Sequence, residues 1–273
     1  MTSSEPPPLV ALRGRQRIAP FALVRVGDTA AAAEAALAGA VPMGGGVDLV
    51  DRMKFGERIE RLMPLSGLAL GGVEATEGGL RIGATTTYAA LAESAEAARL
   101  APAFARLVGG VANPRIRMKG TVGGSVMSQK PNFDVWPALM ALGADLVFAD
   151  GDGEARLPAA ALAPDERRLL LAVEVPAGAD ARFAFDRSLR PIVSVFAGRE
   201  AATGALRLAV GCAHQRPLLL RLAAGETDVA AAAAAALPPP KSDGLASSTY
   251  RRRMVGVLAA RLARILPGPD AAS

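Results

Sequence analysis

Pro42-Met43-Gly44-Gly45-Gly46-Val47-Asp48-Leu49 and Gly120-Thr121-Val122-Gly123-Gly124-Ser125-Val126 are the two stretches whose reading decides the fold. Each places a glycine cluster in a turn between apolar, strand-like segments. Glycine reaches φ > 0 and lets another atom come close where a Cβ would collide. Successive exposed backbone N–H groups then form a concavity that favours an anion, typically phosphate. Two such concavities in one chain suit the two halves of a pyrophosphate, so the pattern points to a dinucleotide. Neither cluster has the Gly-x-Gly-x-x-Gly spacing of a Rossmann unit, and no Gly-x-x-x-x-Gly-Lys-Ser/Thr loop is present. A dinucleotide here needs another fold.

Composition narrows the function further. Hydrophobic residues make up 51% of the 273, ample for a large core in one large or two modest domains. The net charge of +5 and pI near 10 do not indicate nucleic acid, because aromatic content is 4% and the arginines are scattered. Cys212 and His214 are the only cysteine and histidine, which excludes an internal disulfide and any metal or iron–sulfur centre carried by this chain alone. Both read as packing residues at a strand edge. Residues 1–16 lack an apolar signal core, and no uncharged apolar run is long enough to span a membrane. The expectation is a cytoplasmic protein with no membrane span.

Outward from the glycine clusters, the pattern is α+β. Strands are expected at 21–26, 41–43, within 59–70, and at 145–149. A hairpin is expected across 71–82, and helices at 30–37, 48–54, 88–94, 100–108 and 136–142. From Leu169 the chain alternates strands (169–175, 183–187, 193–198, 206–211) and ends on helices at 217–224 and 247–266. The alanine run 230–236 before Pro238-Pro239-Pro240 reads as a low-complexity turn of helix plus linker. A composition shift at 159–168 sets the expected boundary: a first domain at 18–165, a second at 166–267, and flexible tails at 1–17 and 268–273.

Four segments together resemble the FAD-binding medium subunit of molybdenum hydroxylases, the xanthine dehydrogenase and carbon monoxide dehydrogenase group. Residues 43–49 are similar to its Ala-Gly-Gly-x-x-Asp/Ser-Leu loop, and Ile82-Gly83-Ala84-Thr85-Thr86-Thr87 to its Ile-Gly-Ala-x-Thr-Thr segment. Asn113 to Ser125 resembles Pro-x-Ile-Arg-Asn-x-Gly-Thr-Ile-Gly-Gly-Asn, with Asp134 in the acidic position that follows. Tyr250-Arg251 to Leu258 resembles a C-terminal Tyr-Arg-x-x-x-x-x-x-Leu helix.

The resemblance implies a two-part FAD-binding domain of the vanillyl-alcohol-oxidase (PCMH) type and a smaller α+β C-terminal domain. It implies FAD bound by Gly44, Gly45, Gly46, Val47, Asp48 and Leu49, by Thr85 and Val111, and by Thr121, Val122, Gly123, Gly124 and Ser125. Asp134 would accept from a ribityl or ribose hydroxyl. No side chain of this chain is expected to be catalytic. The molybdenum cofactor and two [2Fe–2S] clusters would sit only in a large and a small partner subunit, assembled as a dimer of heterotrimers. Electrons would pass from the clusters through FAD to NAD, quinone or oxygen. Arg251–Arg253 is a candidate partner-docking face. Three departures stand out: Ser125 replaces Asn, Asp186 or Arg187 stands where many members carry Lys, and Lys130-Pro131-Asn132-Phe133 replaces smaller residues. A free-standing flavin oxidoreductase and a flavin-free scaffold of the same fold remain alternatives.

Overall fold

The computed structural model describes residues 18–151, 153–187 and 191–266. The tails at 1–17 and 268–273, and Ser188-Leu189-Arg190, lie outside the described residues. The first unit alternates strand and helix: β1 (Ala22–Leu23), α1 (Thr29–Leu37), β2 (Val41–Met43), α2 (Val47–Lys54) and β3 (Arg61–Pro64). Its strands form a parallel sheet in the order β1-β3-β2. Asp28 starts α1 by accepting the Ala31 N–H at 2.8 Å, which satisfies one of the amides a helix start leaves free. Ala32 and Ala36 then pack with Met63 and Leu65, while Leu49 and Met53 of α2 pack with Ile59 and Leu62. β2 therefore delivers the first glycine cluster directly into the start of α2.

The second unit is a five-stranded sheet in the order β4-β5-β8-β6-β7. Its members are β4 (Val73–Thr76), β5 (Gly79–Gly83), β6 (Asp145–Asp150), β7 (Gly153–Pro158) and β8 (Leu170–Pro176). Between β5 and β6 come α3 (Tyr88–Glu93), α4 (Ala95–Leu100), α5 (Pro102–Gly109), α6 (Pro114–Arg117), α7 (Val122–Ser128) and α8 (Val135–Leu142). The core under them holds Phe104, Leu107, Trp136, Leu139 and Phe148, with the Trp136 indole N–H donating to the Ala159 carbonyl at 2.8 Å. The helix expected at 100–108 is α5, started by Pro102 in its first turn, whereas α4 before it was not foreseen. The second glycine cluster opens α7 rather than joining strands. β7, unforeseen in the sequence, pairs with β6 along an exposed edge whose polar alternation carries little apolar signal. β8 lies beyond the expected boundary at 165/166 yet pairs with both β5 and β6. Strand pairing outweighs the local change of composition.

The third unit is antiparallel, in the order β12-β11-β10-β9: β9 (Phe183–Asp186), β10 (Ser194–Arg199), β11 (Leu206–Gly211) and β12 (Leu218–Leu222). α9 (Val229–Ala236) and α10 (Ser248–Ile265) complete it. Phe196 and Ala209 join the core around α8, while Val195, Ala197, Leu208 and Val210 join Val255, Ala259 and Leu262 of α10. Covered on both faces, β10 reads as an unbroken apolar run. The helix expected at 217–224 is β12, because a short leucine run has no period that separates helix from strand, and its pairing with β11 decides. The alanine run forms α9, capped by Asp228 and packed on α10 where Gly256 lets the Ala230 carbonyl approach.

Arg251 is not a docking group. It is 1% exposed, and its guanidinium spans both Asp243 oxygens, at 2.7 and 2.8 Å, and the carbonyls of Ile192 and Cys212. Arg252 bonds the Ala234 and Leu237 carbonyls, tying α10 to α9. Arg251→Met leaves those buried acceptors without a donor. It is expected to lower unfolding free energy by about 3 kcal/mol in urea titrations, with the transition staying cooperative.

Candidate cofactor site

The two glycine clusters meet backbone to backbone. A Cβ on Gly45 would lie 1.4 Å from the Lys119 carbonyl oxygen, and one on Gly44 2.9 Å from the Thr121 hydroxyl. Only glycine permits this contact, so the first loop is seated on the segment that leads into the second. Gly46 follows at φ +70 and starts α2 without any side-chain cap. The first bond of the helix runs from the Val50 N–H to the Gly46 carbonyl, so the amides of Val47, Asp48 and Leu49 fall in the turn that intrahelical bonding leaves free. An uncapped helix start carries partial positive charge and suits a phosphate. The Leu49 side chain points elsewhere, into the core with Met53 and Ile59.

The second cluster works differently. The Val122 N–H donates to the Thr86 carbonyl at 3.0 Å and the Gly123 N–H to the Ala84 carbonyl at 2.9 Å. The Gly124 N–H is held by its own cap, the Thr121 hydroxyl, at 3.1 Å. A Cβ on Gly123 would sit 2.7 Å from the Ala84 carbonyl, so this glycine serves close packing on the 82–87 segment. Gly124 is the one glycine of the pair that faces solvent. The two clusters are thus not equivalent amide cups. The first offers free amides, and the second offers an exposed Gly124 edge on a firmly bonded turn.

The three adjacent threonines divide the local work. The Thr86 hydroxyl donates to the Gly72 carbonyl at 2.8 Å and Thr87 caps α3, whereas Thr85 lines a cleft of about 430 Å³ with Gly71, Val73 and Ala90. That cleft includes no residue of either glycine loop, while the carbonyls on either side of Thr85, those of Ala84 and Thr86, accept from the second loop. Val111 is half-buried against the main core and its carbonyl accepts from Arg117 at 3.0 Å.

Asp134 stands at the start of α8, 6% exposed, with Oδ2 paired to Arg187 at 3.0 Å. The Arg187 guanidinium also donates to the Gly110 carbonyl at 2.6 Å, tying β9 to the ends of α5 and α8. Asp134 Oδ1 is buried without a hydrogen-bond partner, and the Ser125 hydroxyl is buried beside Tyr88. Burial raises the Asp134 carboxyl to about 6, against the opposing pull of Arg187. Cys212 packs its thiol on the Pro131 carbonyl at 3.4 Å, and burial pushes it up to about 11, so it is no thiolate nucleophile. His214 contacts the Pro238 carbonyl at 3.2 Å. Among the described residues no cluster of His, Cys, Asp and Glu is arranged for a metal ion, and no helix is long and apolar enough to cross a membrane.

The sequence model described as the FAD binding domain in molybdopterin dehydrogenase matches residues 19–178. This chain belongs to that family. The FAD-binding part is an oxidoreductase component of the two-part PCMH-type architecture, followed by the smaller α+β unit of β9–β12. Carbon monoxide dehydrogenase from Oligotropha carboxidovorans is similar in structure, with a TM-score of 0.79 at 23% identity over 91% of this chain and 98% of that one. The enzyme from Hydrogenophaga pseudoflava gives 0.80 at 21% identity over 92% and 98%. Quinoline 2-oxidoreductase from Pseudomonas putida gives 0.75 at 22% identity over 90% and 96%. At these identities the likeness is one of fold. No curated protein matches the sequence.

The residues present fit FAD. The uncapped α2 amides suit its pyrophosphate, and the buried Asp134 Oδ1, without a partner, and the Ser125 hydroxyl, beside Tyr88 and able to bond further, suit a polyhydroxyl chain. Sequence reasoning missed the Arg187–Gly110 contact, because nothing local in either segment marks a partner so distant in the chain.

The Asp134 carboxyl gives a pH test on FAD-free protein. With its folded pKa raised from 3.8 to about 6, its contribution is most favourable below pH 4 and is lost as pH rises through 6. Asp134→Asn is therefore expected to gain up to about 3 kcal/mol on the wild type between pH 4 and pH 7.5, read from urea midpoints. A pH-independent difference would mean that this carboxyl titrates normally.

Proposed function

We propose that this chain is the flavin-carrying subunit of a heterotrimeric molybdenum hydroxylase. Its partners would be a large molybdopterin subunit and a small [2Fe–2S] subunit, in a dimer of heterotrimers. FAD, held by the main-chain amides of Gly44 to Asp48, would supply the redox chemistry between the partner's iron–sulfur clusters and an external acceptor (NAD, quinone or oxygen). The observation that carries this reading is the family match over 19–178 together with the uncapped α2 start beside the Gly44–Gly45 seat. Within the chain we assign the FAD-binding part to 19–178, where the family match ends just past β8.

The residues have separable tasks in this reading. Gly44 to Asp48 present main-chain amides to the pyrophosphate. Thr121 and Gly124 form the opposite edge, and Val122 and Gly123 hold that edge in place through Thr86 and Ala84. Ser125 and Asp134 accept or donate along the ribityl chain, with Asp134 kept in position by Arg187. Thr85, Val111 and Leu49 contribute support around the site.

Purified full-length chain is expected to show the two-band visible absorbance of oxidised flavin, or to acquire it on adding FAD. Gly124→Asp should lose FAD affinity by more than about tenfold, because its carboxylate repels the phosphate, whereas Gly124→Asn, which presses equally on the Thr121 hydroxyl 2.8 Å from a Cβ there, should lose much less. Full flavin retention by Gly124→Asp overturns the role of the second loop. Co-purification with molybdenum and iron–sulfur proteins separates the relay from a free-standing flavin enzyme.

A further inference from the structure

Asp48 poses an electrostatic problem that the glycine loops do not solve. It sits in the first turn of α2, directly after the Gly44–Gly46 seat, and its side chain is only 13% exposed. An ionised carboxylate there opposes any phosphate approaching the same amides. Arg52, one turn along, reaches it at only 3.5 Å and is committed to Glu57 through its Nε at 2.6 Å. The closer cation on Asp48 is Lys130, whose ammonium pairs with Oδ1, while Arg52 holds Oδ2 from farther away.

Lys130 comes from the other half of the site, between α7 and α8, and the chain around it is held from both sides. Gln129 closes α7 at φ +52, a left-handed conformation uncommon outside glycine, and its side-chain amide donates to the Ala163 carbonyl at 2.7 Å. The Pro131 carbonyl accepts the Cys212 N–H at 2.8 Å, and Cys212 itself takes φ +65 to deliver it. The Lys130 ammonium stands 5.8 Å from the Phe133 ring centroid. The backbone strain at Gln129 and Cys212 is spent on orienting this one segment.

We propose that Lys130 is a positioning residue for the cofactor. By neutralising Asp48 across the gap between α2 and the α7–α8 connection, it keeps the α2 amides attractive to the pyrophosphate and straps the two halves of the site together. The inference rests on the functional reading above, in which those amides meet the pyrophosphate. Lys130 acts through Asp48 rather than on the redox chemistry, so its effect is on FAD retention.

The test is FAD titration of the flavin-stripped full chain, followed by flavin fluorescence at low ionic strength. Lys130→Met is expected to weaken binding about tenfold, since it leaves Asp48 with only the 3.5 Å ion pair to Arg52, itself shared with Glu57. Asp48→Asn should bind at least as well as wild type, Lys130→Arg should retain affinity, and Asp48→Asn/Lys130→Met should return to within about twofold of wild type. The Lys130→Met deficit should shrink as added salt screens Asp48, which a purely structural defect would not do. Unfolding midpoints of all variants identify any that fail to fold. An unaffected Lys130→Met overturns the proposal, and so does a double variant as weak as Lys130→Met alone. A wild-type chain that takes up no FAD brings down the functional reading as well, whereas normal wild-type binding with an indifferent Lys130→Met brings down only the strap.

Discussion

Everything at the site depends on one contact, the flat face of Gly45 against the carbonyl of Lys119. With 1.4 Å between that oxygen and the place a Cβ would occupy, the two chain segments approach closer than any side chain allows. Their separation fixes where α2 begins, which way its free amides face, and how far Thr121 stands from Gly44. The parallel strands β2 and β3 bring one partner to this contact, and the short α6 brings the other.

Around this seat the polar groups fall into two classes. Those of the second loop are bonded internally, to Thr86, Ala84 and Thr121, and give rigidity. Those of the first loop, with the Ser125 hydroxyl and Asp134 Oδ1, are left with capacity to spare. Native interiors satisfy nearly all buried polar atoms, so an unpaired carboxylate oxygen such as Asp134 Oδ1 calls for a donor from outside the chain. The raised Asp134 carboxyl belongs to the same pattern, since a buried acceptor with one free oxygen is strained until a donor reaches it.

What the sequence made legible was local. The glycine clusters and the helices at 30–37, 88–94 and 247–266 announce themselves within a few residues. The resemblance then joined them into a two-part flavin fold. What stayed hidden were relations across the chain. β8 belongs with β5 through pairing of residues far apart in sequence, β12 was a leucine run without a period, and Arg251 carries the charge of a surface residue while lying buried on carbonyls. The two glycine clusters looked alike because both are short, flexible and apolar at the edges. Only their hydrogen bonds distinguish one as a receptor and the other as a brace.

α8 begins at Asp134 and lies with one side against the β10–β11 sheet, whose Phe196 and Ala209 fill the same core as Trp136 and Leu139. The two parts of the chain therefore share a wall instead of meeting at a hinge. Cutting the protein at the end of the FAD-binding segment would strip that wall of its lining and uncover an aromatic face. The C-terminal unit is thus a buttress for the helix that carries Asp134 at its start.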